Sequence, residues 1–488
     1  MALLRQAAVL AGAGLDGELL PPAALDFLAH LQRELEPSRR EVLARRSGTS
    51  DAGRAWVEGA GWRAPDPPPD LRERDVLWIG TGEPAALAHA RAAGAPAYAV
   101  DLEAAAPAWQ TLLAAHRAAA EAVRGGPRLA TAVLLRPRSL VRLEPRVRVD
   151  GEAISAALFD LGLFLYHCAR PCIERESGPY VVLAPRTPAQ ARLWEDAIVL
   201  AQDLLGLPLG NVQAVVWVAG VDAARDLEPI AYELRRHLAA VALGGWEYAA
   251  DAVRRLPPTG LPALPGWELP PGVALLAGAG AAQVARVARR RGLIALAGPV
   301  GGAGDPYRRH DAGPAWLEEG EAVALGEAVT QAVAGPLWPP PPDEPGPFLV
   351  DPALLVPPDP VGHLPRQALR EAARTLLAHL ARRAEARPVA GTHGAEAAWA
   401  QLGRWLAGAV PLPDGRPLSL AEVEAVFAEE GRALAAAGTA GQATLSRSRA
   451  WLVDRLAAGD AARASLLPLA DGLILGPAES PSPTPAGN

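Results

Sequence analysis

Val133-Leu134-Leu135-Arg136-Pro137-Arg138-Ser139 is a short apolar run that ends in charged residues, the pattern of a strand buried on both faces with arginine at its end. Similar runs recur on either side of it. Together they give eight strand candidates, at 75–80, 97–103, 131–138, 180–186, 214–220, 239–246, 273–279 and 293–299, with amphipathic helical stretches between most of them. Alternating strands and helices of this kind predict a parallel sheet. Eight such units over a span of this length fit an α/β fold of the TIM (β/α)8 barrel type.

The regions flanking the barrel read differently. Pro21 to Arg46 predicts a helix, with Phe27, Leu28, Leu31 and Leu35 at helical spacing. Leu337-Trp338-Pro339 through Pro342, followed by Asp343-Glu344-Pro345, excludes a helix or central strand and reads as a linker. Helical patterns follow at 365–386, 394–407, 419–437 and 442–458. The expected organisation is therefore an N-terminal helical segment over 1–70, the barrel over 71–336, a Pro-rich linker over 337–364, a helical domain over 365–478 and a disordered tail over 479–488.

Composition narrows the chemistry. The 488 residues carry a mild net charge of −7 with no long basic block, which argues against nucleic acid as a partner. All 47 basic residues are arginine, so a Schiff-base lysine and a Walker-type lysine are both excluded. Cys168 and Cys172 are the only cysteines and read as small packed hydrophobes on one helix face, not as a disulfide or metal framework. No window is long and apolar enough for a membrane span, and the N-terminus has no secretory pattern, so a soluble cytoplasmic protein is expected.

From residue 131 to 248 the chain resembles the malate synthase family. The family strand motif V-L-I-R-P-R-G-W-H-L-P-E, followed by V-D-G-E, corresponds to Val133–Ser139, with Glu144 and Val149-Asp150-Gly151-Glu152 in register. The family helix S-L-F-D-F-G-L-Y-F-F-H-N is similar to Ala157–Cys168, and S-G-P-Y-F-Y-L-P-K to the stretch from Ser177. The resemblance implies the barrel fold, with an N-terminal helical clasp and a C-terminal helical plug over the barrel mouth. It also implies condensation of acetyl-CoA with glyoxylate. In that reaction an aspartate removes a methyl proton, Mg²⁺ polarises the aldehyde and an arginine stabilises the enolate oxygen. A thioester methyl is so weak an acid that both a placed base and a positive group are required.

In a TIM barrel the functional groups lie at the C-terminal strand ends, which here points to Glu103, Arg136, Arg186, Ala219 and Glu247. Arg136 matches the substrate arginine. The family's first metal ligand, the glutamate of V-L-I-E-T, corresponds to Ala219, and the second, the aspartate of G-R-W-D-Y, to Glu247. Asp222 is the nearest carboxylate that could substitute for the first. The family's catalytic aspartate falls on Gly391 in one register and on Ala395 in another, leaving His393 as a substitute base. Three readings follow: a malate synthase-type enzyme using recruited groups, a catalytically degenerate homologue binding a CoA thioester, a 2-oxo acid or a partner protein, or altered acyl-CoA chemistry using Glu247 and His393. Mg²⁺ binding is expected to be weakened. Two glycine-rich stretches, Gly12–Gly17 and Gly278-Ala279-Gly280, are read as loops, the second as a strand-to-helix turn able to present amides to a phosphate.

Overall fold

A computed structural model describes residues 8–9, 16–45, 51–72, 76–80, 82–104, 108–124, 131–255, 271–296, 315–318, 363–385, 392–462 and 464–475. Its centre is a curled parallel sheet of β1 (Val76–Gly80), β2 (Ala97–Asp101), β3 (Ala132–Arg136), β4 (Tyr180–Leu183), β5 (Gln213–Val218), β6 (Leu238–Leu243), β7 (Ile294–Leu296) and β8 (Ala315–Glu318). Hydrogen-bonded neighbours run β7-β6-β5-β4-β3-β2-β1-β8, so the last strand returns beside the first, as barrel closure requires. Alternation divides strands β1 to β7 between two cores. Leu77, Ala99, Leu134, Val182, Val215, Ala240 and Leu296 fill the barrel interior, and their neighbours Val100, Val133, Leu135, Val216 and Val241 pack outward against helices.

Seven of the eight strand candidates coincide with observed strands, and the candidate at 273–279 does not. That stretch is the start of a helix, Pro271–Arg291. Alanine and leucine are strong helix formers, Pro271 suits a first helical position, and three arginines complement the helix C-terminus. The eighth strand is instead Ala315–Glu318, paired in parallel with β1. Gly278-Ala279-Gly280 therefore lies inside a helix and forms no phosphate-holding turn. Gly280 serves packing, since a Cβ there would stand 2.9 Å from the Tyr248 ring.

The N-terminal helix Pro22–Ala44 covers the barrel's outer layer, burying Phe27, Leu28, Leu31 and Leu35 as the spacing predicts. It crosses the helix Ala156–Glu174 at Gly162, where a Cβ would collide with Leu28 and Leu31. Val149-Asp150-Gly151-Glu152 proves to be a hairpin turn between the antiparallel strands Leu143–Val149 and Glu152–Ser155. Asp150 and Gly151 both have positive φ, 53° and 90°, as a two-residue hairpin turn of primed type demands. Arg33 of the N-terminal helix holds Asp150 through two hydrogen bonds of 2.7 and 2.9 Å.

The C-terminal helices Arg366–Ala384, Thr392–Ala407, Leu420–Ala436 and Gln442–Ala457 agree with the sequence expectation, and a further helix spans Leu466–Leu475. They enclose their own core around Trp399, Phe427, Leu376 and Leu452. This core is joined to the barrel by a buried ion pair from Arg254 Nη2 to Glu396 Oε2, 2.9 Å long, and by Arg383 donating to the carbonyl of Ala104 at 3.0 Å. Ala104 belongs to the turn after β2, at the barrel mouth. The expected linker over 337–364, apart from its last two residues, and the tail over 479–488 lie outside the described residues. No helix among the described residues is long and apolar enough to cross a membrane.

Candidate functional site at the barrel mouth

Strand parity brings the charged residues together. On β3 the inward positions are Ala132, Leu134 and Arg136, and on β2 they are Ala97, Ala99 and Asp101, which pairs in register with Arg136. Arg136 Nη1 lies 3.1 Å from Asp101 Oδ2, and its Nη2 donates to Glu247 Oε1 at 2.6 Å. Glu247 reaches the mouth from the first turn of the helix Gly245–Arg255, which follows β6 directly. The third partner is Trp217, an inward residue near the end of β5 and fully buried. Its Nε1 donates to Glu247 Oε2 at 2.5 Å, and the Arg136 guanidinium carbon sits 5.0 Å from its ring centroid, within cation–π range.

Both oxygens of Glu247 are thus engaged, one by a guanidinium and one by an indole. Burial pulls the Arg136 pKa down, but the charges of Asp101 and Glu247 outweigh it and the net direction is upward. Arg136 is held permanently as a cation. Asp101 uses its second oxygen to accept from the backbone amides of Glu103 and Ala104, at 3.0 and 3.1 Å, fixing the turn after β2.

Ala219, at the expected position of the first metal ligand, is the next inward residue of its chain segment after Trp217 and packs against the barrel interior with only a methyl group. Asp222 sits on the short rim helix Val221–Arg225, where its oxygens pair with Arg255 at 2.7 Å and Arg225 at 3.3 Å. Burial raises its pKa, but the Arg255 hydrogen bond and the surrounding arginine charges bring it below the usual value. Arg186 is half exposed and pairs with Asp251 at 3.0 Å. Asp251 also accepts from the Val221 amide at 2.9 Å, so it ties the loops after β4 and β5 to the helix after β6.

Glu103 accepts from the amide of Ser139 at 2.8 Å and from Arg142 at 3.1 Å, which makes it a clasp between two mouth loops. Arg138 faces away from the mouth and is bound by Asp160 in a bidentate pair, both contacts 2.8 Å, and by Glu144 at 2.8 Å. His393 is the second residue of the helix Thr392–Ala407, with its side chain outside the described structure, and Gly391 lies outside the described residues. The structure thus joins Arg136 to Glu247 and directs Asp222 and Arg186 into rim ion pairs. Among the described residues, no group of three or more His, Cys, Asp or Glu side chains could hold a metal ion.

Sequence reasoning missed Trp217. The available signal was parity: it lies two residues before Ala219 and therefore shares its inward face.

The family model for the malate synthase TIM barrel domain matches residues 132–299, and that for the malate synthase N-terminal domain matches 10–49. A malate synthase of Myxococcus xanthus (strain DK1622) is 32% identical over 269 residues, 49% of each chain. One of Streptomyces clavuligerus is 33% identical over 285 residues, 52% of each chain. The chain spans about half the length of these curated relatives. Among solved structures, a Haloferax volcanii malate synthase in a pyruvate/acetyl-CoA ternary complex is 13% identical and aligns with a TM-score of 0.40, covering 77% of this chain and 98% of that one.

Proposed function

We propose that this chain, which matches the malate synthase family models over residues 132–299 and 10–49, is a malate synthase-like barrel that retains the substrate arginine, Arg136, without the family's metal-dependent condensation of acetyl-CoA and glyoxylate to malate and CoA. The observation that carries this reading is the occupation of Glu247. Mg²⁺ requires near-octahedral oxygen ligands at about 2.0–2.1 Å. Here the one carboxylate at a ligand position spends its oxygens on Arg136 and Trp217, and the other ligand position offers the methyl of Ala219. Asp222 is neutralised by Arg255 and Arg225. This donor set does not fit the ion.

The base is the second deficit. Neither Gly391 nor Ala395, the two registers for the family aspartate, can accept a proton. Loss of a general base costs about 10²–10⁴-fold in rate. Combined with a missing Lewis acid, that leaves binding of a CoA thioester or a 2-oxo acid without turnover as the retained function. Altered acyl-CoA chemistry on Glu247 and His393 is disfavoured by the same geometry, because both oxygens of Glu247 are committed to the guanidinium and the indole.

The test is thiol release from acetyl-CoA in the presence of glyoxylate, with and without Mg²⁺. The reading predicts no release in either case, and malate formation only after Ala219→Glu is combined with Gly391→Asp. Mg²⁺-dependent release by the unaltered protein would overturn it.

A further inference from the structure

The Arg136 guanidinium is cationic, buried and set at the C-terminal end of β3, where a site for a small carboxylate can be built. Its Nη1 is committed to Asp101, a residue of the neighbouring strand in direct register. Its Nη2 is committed to Glu247, which comes from outside the sheet, on the first turn of a helix. The two carboxylates therefore have different standing. Asp101 is part of the barrel wall and also caps the turn after β2. Glu247 enters from above, on a side chain long enough to withdraw.

We infer that Glu247 is a resident occupant of a carboxylate-binding position on Arg136, so that a small monocarboxylate or 2-oxo acid can bind there only by displacing it. Trp217 makes the occupied state specific, because the indole hydrogen bonds to the second oxygen of Glu247 and stands beside the Arg136 guanidinium. The inference deepens the reading that the mouth binds without turning over. It differs from that reading in what it requires, since displacement of Glu247 involves neither metal nor CoA.

Removing the side chain should open the position to an external carboxylate. With chelator present and no CoA, acetate is titrated by calorimetry against the unaltered full chain, Glu247→Ala, and Glu247→Ala combined with Arg136→Met, with chloride at equal ionic strength as the control. Glu247→Ala should bind acetate about 10- to 100-fold more tightly than the unaltered protein, the equivalent of one charge-assisted hydrogen bond. Its thermal midpoint should rise with acetate and not with chloride, and the added Arg136→Met should abolish both effects. Should Glu247→Ala fail to fold, Glu247→Ser, whose short side chain also vacates the position, carries the same comparison. Equal affinity in the unaltered and altered proteins, no binding by either, or binding indifferent to Arg136→Met would each overturn the inference. None of these results depends on the thiol-release assay, so the two claims fail separately.

Discussion

The backbone of Gly244 lies against the indole of Trp217 so closely that any Cβ at that position would overlap Nε1, and it would also crowd Glu247 at 2.9 Å. The last residue before the helix Gly245–Arg255 and the inward residue of β5 therefore have to be chosen together.

That coupling can be measured. Gly244→Ala should destabilise the protein by about 1–3 kcal/mol through overpacking. The same substitution in a Trp217→Leu background should cost much less, because the colliding ring is gone. Urea unfolding of the two single variants and the double variant gives the coupling energy directly. Additive effects would show that the clash is relieved elsewhere.

Arg138 and Asp160 set a pH dependence. Burial raises the Asp160 pKa, but the Arg138 charge and hydrogen bonds, aided by His116, outweigh it and hold the carboxyl at about 2. The group is depressed below its ordinary value of about 3.9, so its contribution is complete above about pH 4 and is lost as pH falls toward 2. Arg138→Met should cost about 3–5 kcal/mol at neutral pH by stranding a buried charge. The deficit should shrink on acidification, since the native pair is lost while the stranded carboxyl is protonated. Urea midpoints of both proteins across this range check it, and a constant gap would exclude Asp160 as the source.

Cys168 and Cys172 should be unreactive in the folded protein. Burial pushes the Cys172 thiol up to about 12 and Cys168 well above its usual value, so neither supplies thiolate at mildly alkaline pH. A chromogenic disulfide reagent should titrate both thiols only after denaturation. Rapid modification of the native protein would place at least one of them at an opening path through the helix Ala156–Glu174.

Much of the architecture was legible because its signals are local. β2 and β3 are apolar on both faces and are buried at every position, so composition alone marks them. The C-terminal helices were readable from apolar spacing, and Thr187, which caps the helix Pro188–Leu205 by accepting from the Gln190 amide at 3.2 Å, shows how explicit such boundaries can be. The failure at 273–279 has an equally local cause. A short apolar run of Ala, Leu and Val does not distinguish strand from helix, and the true eighth strand, Ala-Trp-Leu-Glu, is too short to stand out.

The site was legible as a list of residues and not as a set of contacts. Arg136, Ala219 and Glu247 could be located from strand ends, but the pairing of Glu247 with both Arg136 and Trp217 depends on the angle at which the helix Gly245–Arg255 leaves β6. Sequence alone carries no such angle. For the same reason Asp222 was a plausible substitute ligand by distance along the chain, while in space Arg255 and Arg225 claim it.

On the proposed reading, Glu247 serves Arg136 and Trp217 in place of a metal ion. Titration of the full chain with Mn²⁺, as a paramagnetic substitute for Mg²⁺, followed by the loss of the free-ion resonance signal, tests this most directly. The account predicts no stoichiometric site in the unaltered protein or in Glu247→Gln. One tightly bound Mn²⁺ per chain, lost on Glu247→Gln, would contradict it.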